Sequence, residues 1–370
     1  MTGTTAVRDD GALPARAREE LWQAVCDRDE YAADRSVFTA LDDGASAEDV
    51  LLDVIAAVQH QVGLEWAANR FTVAQEHAAT AIHDRIIAAV AHRAPATSPP
   101  PGTAATVVVA CVDGEWHALP ARLLAEVLRH RGYRVDFLGA QVPTPHLIAH
   151  LHQTAPTAVA LSSSIPARLP VAHTAITAAQ AIGVPVLAGG AAFGTDGQCA
   201  RLLRADAWAP DARAAADLLA HGLPRPSPGM IRQTVEDLQH LTDQEYTLVT
   251  RGKRQLVKNT LAGLDERLPA MLTYTDAQRE HTAEDVAHIV DFLTCALCTD
   301  DSRLLTGFLN WTGDVLEARR VPARVLDPAL ALLQEQLKDF PRALDILAQG
   351  RAALERRDAR PSAPGLGHDA

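Results

Sequence analysis

Hydrophobic positions along the chain change period twice, and the changes divide it into three segments. From about residue 10 to 94 they recur at helical spacing. "SAEDVLLDVIAAVQHQVGLEW" opens with Ser46 and carries Asp49 three residues on, an N-cap with a capping-box acid. Val50, Leu51, Val54, Ile55 and Val58 then share one face. "TVAQEHAATAIHDRIIAAVAHR" predicts a second strong helix, and stretches such as "REELWQAVC" complete a four-helix bundle over residues 1–94. From 103 to 222 short β-branched runs alternate with amphipathic stretches. "TVVVACV", "RVDFLG", "AVALSSS" and "VPVLAGG" predict strands; "LPARLLAEVLRHRG", "TPHLIAHLHQTA" and "VAHTAITAAQAIG" predict the helices between them. That order predicts a doubly wound parallel sheet, which takes ligands at the carboxyl ends of its strands. From 230 to 358 the period is helical again, in "IRQTVEDLQHLTDQEYTLVTRGKRQLVKNTLAGLDERL", "TAEDVAHIVDFLTCALC", "SRLLTGFLNWTGDVLEARR" and "DPALALLQEQLKDF". The expected class is α/β plus all-α.

Two Pro-rich stretches, Ala91–Thr106 and His221–Met230, read as linkers between the segments, and the tail over 359–370 reads as disordered. A formal net charge of −12, with no basic arm and no zinc-finger spacing, argues against nucleic acid as a direct partner. Five scattered cysteines suit a reducing compartment, and no signal peptide or membrane-spanning run is visible, so a cytoplasmic location is expected. No G-x-G-x-x-G follows the first strand, which turns the reading away from dinucleotides.

The chemistry concentrates where strands end. "VDGEWH" follows the first strand, with Glu115 and His117 two residues apart. An imidazole there is placed to ligate a metal through one nitrogen while the carboxylate orients the other; a solvated surface loop carries the same two residues. The third strand ends in Ser162–Ser164 and the fourth in Gly189–Gly190, small residues that leave room for a long ligand to enter the sheet edge.

"EWHALP", "LSSSIP" and "LAGG" together resemble the cobalamin-binding Rossmann-like domain. The resemblance implies His117 as the lower axial cobalt ligand, Glu115 as its partner, and a slot for the nucleotide tail lined by Ser162, Ser164, Gly189 and Gly190. Pro120 stands where the family pattern has Gly, Ser164 where it has Leu, and Glu115 where Asp is usual. Upstream, "EWAANRFTVAQEH" puts Trp66 ten residues before Glu76 and eleven before His77. By themselves these are equally a bundle core residue and a polar helix face. In this context the spacing resembles light-sensing cobalamin proteins related to the repressor CarH, which implies that Trp66, Glu76 and His77 cover the upper face of adenosylcobalamin. A His follows the Trp in that family; Ala67 stands here and excludes trapping of cobalt through that position.

The whole layout is similar to photocobilins, in which a globin-like helical domain that binds a bilin such as biliverdin follows the cobalamin domain. Tyr274, His281, His288 and Cys295 step by seven, and His288 lies beside Val286, Ile289 and Phe292, at the rim of an apolar face. His288 is the candidate bilin contact, with haem as the lesser reading. Arg251, Lys253, Arg254, Arg319 and Arg320 are candidates for bilin propionates or plain surface residues. Cys295 and Cys298 read as small core residues rather than a zinc site, with a bilin thioether as the other use. The resemblance implies a sensor rather than an enzyme, with cobalamin as ligand, a downstream protein as partner and a homo-oligomeric state. A methyl-carrying corrinoid subunit and a cobalamin-reporting adaptor are the rival readings.

Overall fold

The computed structural model describes residues 12–93, 105–226 and 241–359. The chain divides into two compact units, Met1–Gln233 and Thr234–Ala370. The expected helix over 231–240, the tail expected to be disordered, from 360 on, most of the first linker and the last four residues of the second lie outside the described residues.

The first unit holds the bundle and the sheet on one continuous core. The bundle is built from α1 (Ala12–Asp27), α2 (Glu30–Asp42), a run of α3 (Ala47–Asp49), a π-helical segment (Val50–Ile55) and α4 (Ala56–Ala67), and α5 (Val73–Arg93). Ser46 caps α3 as expected: its Oγ accepts from the Asp49 N–H at 3.0 Å and donates to the Asp49 carboxylate at 2.6 Å. Val50, Leu51, Val54, Ile55 and Val58 are all buried. Four of them lie on a π-helical segment, which an α-helical period does not predict.

The sheet runs β2-β1-β3-β4-β5, all parallel, with β1 Thr106–Cys111, β2 Arg134–Gly139, β3 Ala158–Ser162, β4 Val186–Gly189 and β5 Ala207–Ala209. The connecting helices are α6 (Ala118–His130), α7 (Thr144–Thr154), α8 (Leu169–Ala181), α9 (Gln198–Leu202) and α10 (Ala212–His221). Four strands match the expectation; β5, with α9 and α10, adds to it. Strand order reverses between β1 and β3, and at such a switch point the flanking loops diverge and leave a crevice. In register, Cys111, Ser162, Gly189 and Ala209 form one row across the strand ends.

The second unit is all helical: α11 (Glu245–Arg267), a 3-10 turn (Pro269–Thr273), α12 (Asp276–Thr299), α13 (Arg303–Ala318), α14 (Asp327–Gln336) and α15 (Pro341–Asp358). Gln244, with φ +64°, closes off the start of α11. Thr275 and Gln278 form a capping box that starts α12, so Tyr274 lies before the helix and outside the heptad row. Buried Glu245 caps α15, accepting from the N–H groups of Arg342 (3.1 Å) and Ala343 (2.8 Å). Among the described residues no helix is long and apolar enough to cross a membrane, and no disulfide joins any of the five cysteines.

Candidate functional site

The loop after β1 turns at Gly114 (φ +75°) and drives Glu115 back into the protein, where it is fully buried. Every hydrogen bond it makes tightens the crevice. Oε1 accepts from the His117 imidazole Nδ1 at 2.6 Å and from the His117 N–H at 3.0 Å. Oε2 accepts from the Ser163 hydroxyl at 3.2 Å and from the N–H groups of Ser164 (2.7 Å) and Ile165 (3.1 Å). One carboxylate thus ties the β1 loop to the β3 loop. Burial alone would raise its pKa, but the imidazole and the three backbone N–H groups outweigh burial and hold it at about 2. Glu115 in turn raises the pKa of His117 against the opposing effect of burial, with a further contribution from the charge of Glu76. Nδ1 is committed to Glu115, so the lone pair of the neutral ring sits on Nε2, and more than half of the His117 side chain is exposed. That is the arrangement an oriented metal ligand requires, and the burial of Glu115 sets the E-x-H pair apart from a solvated loop.

Behind the loop lies a slot of about 120 Å³ between the sheet and α6 and α10. Ser162, Gly189 and Gly190 line it, as do Pro120 and Leu124 of α6. Gly190 is obligatory: its φ is +95°, and a Cβ there would stand 2.3 Å from the Ser163 carbonyl oxygen. Ser164 departs from the expected lining role, because it serves the site through its backbone N–H on Glu115. Pro120, in place of the family's Gly, forms part of the slot wall. The residues present fit a cobalamin: a half-exposed imidazole in the loop after β1, and a narrow, largely apolar slot lined by Ser162.

The bundle brings the remaining residues. Trp66, at the end of α4, is half-buried against the shared core. Glu76, in the first turn of α5, accepts from the Thr80 hydroxyl at 2.8 Å and pairs with His77 Nδ1 at 2.5 Å. His77 is largely exposed. Sequence reasoning missed Ser163 and Ile165, which complete the Glu115 cradle, and Trp116, whose indole is 73% exposed between Glu115 and His117. "LSSS" was a signal for Ser163; nothing in the local pattern marked Ile165, which acts through its backbone.

In the second unit His288 sits on the exposed side of α12, while Val286, Ile289 and Phe292 are buried. Cys295 and Cys298 are fully buried, and burial pushes the Cys298 thiol up to about 12, in keeping with core residues. Among the described residues no group of three or more His, Cys, Asp or Glu side chains is placed to hold a metal ion.

Residues 105–218 match the B12 binding domain family, and residues 17–91 match a second B12 binding domain family. The two matches cover the sheet and the bundle respectively, and together they support cobalamin binding by the first unit. A curated relative is the HTH-type transcriptional repressor CarH of Myxococcus xanthus, 32% identical over 143 residues. The match covers 38% of this chain and 46% of that protein, so the chain spans less than half of its relative's length. Among solved structures, the monomethylamine corrinoid protein of Methanosarcina barkeri has 16% identity and a TM-score of 0.48, over 56% of this chain and 98% of that one. A cobalamin-binding protein from Desulfitobacterium hafniense has 21% identity and a TM-score of 0.31, over 56% and 97%.

Proposed function

We propose that the chain is a cytoplasmic B12-dependent photoreceptor, a signalling protein rather than an enzyme. In this reading His117 Nε2 holds cobalt from below, Glu115 keeps the proton on Nδ1, and the slot at Ser162, Gly189 and Gly190 takes the nucleotide tail. Trp66 and Glu76 face the upper ligand, the indole as a flat apolar cover and the carboxylate as an acceptor for ribose hydroxyls. Adenosylcobalamin, when bound there, would supply a cobalt–carbon bond sensitive to green or blue light. The bundle, relieved of the upper ligand, repacks on the sheet and biases the second unit. The second unit is read as a globin-like bilin-binding domain with His288 at the chromophore, which extends sensitivity to red light. It hands the signal to a downstream protein, and the receptor works as a homo-oligomer.

The observation that carries this reading is the His117 imidazole held by buried Glu115 at 2.6 Å at the end of β1, beside the slot at Ser162, Gly189 and Gly190, within the stretch that matches a B12 binding domain. The test loads the full chain with adenosylcobalamin in the dark, illuminates it, and follows absorbance and elution volume. A light-dependent change in both is expected. A protein that binds the cofactor and does not respond overturns the photoreceptor reading and leaves a reporter of cobalamin level; tighter binding of the methyl form assigns a methyl carrier instead. Co-expression with biliverdin should yield a protein absorbing in the red, and recovery without chromophore removes the bilin assignment.

A further inference from the structure

Behind Glu76, three polar side chains inside the bundle join into a single line that plays no part in holding cobalt or the nucleotide tail. His83, on α5, is fully buried. Its Nδ1 meets Gln59 Oε1 of α4 at 2.6 Å. Gln59 Nε2 meets the Thr80 hydroxyl at 2.8 Å, and that hydroxyl meets Glu76 Oε1 at 2.8 Å. His83 Nε2 has no partner.

The end of the line fixes its direction. A carboxylate at neutral pH has no proton to give, so Thr80 donates to Glu76. The Thr80 oxygen is then free to accept, which orients the Gln59 amide with its NH₂ toward Thr80 and its carbonyl toward His83. That carbonyl requires a proton on His83 Nδ1 and leaves the lone pair on Nε2. The opposite orientation fails at the first step, because a Thr80 hydroxyl spent on Gln59 has no proton for Glu76. Each bond polarises the next, so the whole line points hydrogen-bond donation at one carboxylate oxygen.

We propose that Gln59, Thr80 and His83 are positioning residues that hold the Glu76 carboxylate toward the upper face of the cofactor, and so set selectivity for a cobalamin whose upper ligand carries hydroxyl groups. This rests on the reading of Glu76 as an upper-face residue. Burying the His83 imidazole in the bundle core costs stability, which its bond to Gln59 offsets in part, and Gln59 and Thr80 lie half-buried beside it. A core that served packing alone would carry leucines there. The line crosses from α4 to α5, so it also locks the two helices that present Trp66 and Glu76 in one relative placement.

The test has two arms, both on the full chain. In the apo protein, ¹⁵N NMR of the imidazole reads the tautomer of His83; Nδ1–H is expected, and Nε2–H reverses the line and overturns the proposal. In the second arm, affinities for adenosylcobalamin and methylcobalamin are measured for wild type, Glu76→Gln, Thr80→Val and Thr80→Ser. Thr80→Val removes the donor at nearly constant volume, and the preference for the adenosyl form is expected to fall about fivefold, the effect of one hydrogen bond. Thr80→Ser should restore it, and methylcobalamin affinity should hardly move. Equal loss for both cobalamins, or an unchanged preference in Thr80→Val while Glu76→Gln abolishes it, overturns the positioning role and leaves the functional reading standing. A wild type without any preference overturns the upper-face reading itself.

Discussion

Replacing Glu115 with Gln keeps size and removes one acceptor, so the five donors around the carboxylate can no longer all be satisfied. The carboxylate receives two donors on Oε1 and three on Oε2. A Gln amide offers one oxygen and one NH₂, so one side must face donors with a donor. Turning the oxygen toward Ser163, Ser164 and Ile165 satisfies the larger set. The NH₂ then points at His117 Nδ1, which has to become an acceptor, and the imidazole proton moves to Nε2. That is the nitrogen with which His117 would reach cobalt. Turning the amide the other way restores the ligand tautomer and leaves two backbone N–H groups and a hydroxyl against an NH₂, at about 1–3 kcal/mol for each group left unpaired. Either way the loss falls in the range for removal of a ligand's orienting partner, about 10–100-fold in affinity. Titration of the apo protein with adenosylcobalamin, followed by absorbance, measures it directly. Glu115→Asp should lose less, because it keeps the charge. An affinity of Glu115→Gln within about twofold of wild type would refute the orienting role, since such a change is far smaller than one lost charge-assisted hydrogen bond.

Three further outcomes rest on the same geometry. Gly190→Ala forces a Cβ to within 2.3 Å of the Ser163 carbonyl at φ +95°, and should cost more than about 2 kcal/mol and abolish cobalamin uptake, read by urea unfolding and titration. Burial holds the folded pKa of His83 down, from 6.5 to about 4. The unfolded chain therefore takes up the proton first, and stability falls as pH drops from 6.5 to about 4, by about 3 kcal/mol in all. His117, whose pKa is raised, contributes in the opposite sense: its stabilisation is complete below 6.5 and is lost as pH rises. The difference in pH slope between wild type and His83→Gln isolates the first effect, and identical slopes would contradict it. Arg213 of α10 pairs with Glu48, Asp49 and Asp53 of the bundle, so Arg213→Ala should destabilise the first unit by about 1 kcal/mol at low salt and by less at high salt; a loss independent of salt would contradict an electrostatic tie.

The elements legible in the sequence were those whose signal is local. The β-branched runs gave β1 to β4, Ser46 gave the start of its helix, and E-x-H after β1 marked the Glu115–His117 hydrogen-bonded pair. What escaped depends on distant residues. β5 is three residues long, Ala207–Ala209, and contains no β-branched side chain; it is a strand because β4 pairs with it. The π segment at Val50–Ile55 departs from the α-helical period of its neighbours, and α15 begins after Phe340 under a cap supplied by Glu245, nearly a hundred residues earlier. At the site, Ser163 and Ile165 matter because the end of β3 meets the β1 loop. The line from His83 to Glu76 escaped for the same reason: Gln59 joins it across two helices.

Cobalamin uptake by His117→Ala tests the central claim most directly. With the imidazole gone and the slot, Trp66 and Glu76 untouched, titration of the apo protein should show affinity at least about tenfold weaker than wild type, and the bound cofactor should lack the spectral signature of nitrogen ligation from below. An unchanged affinity together with an unchanged spectrum would contradict the assignment of His117 as the cobalt ligand.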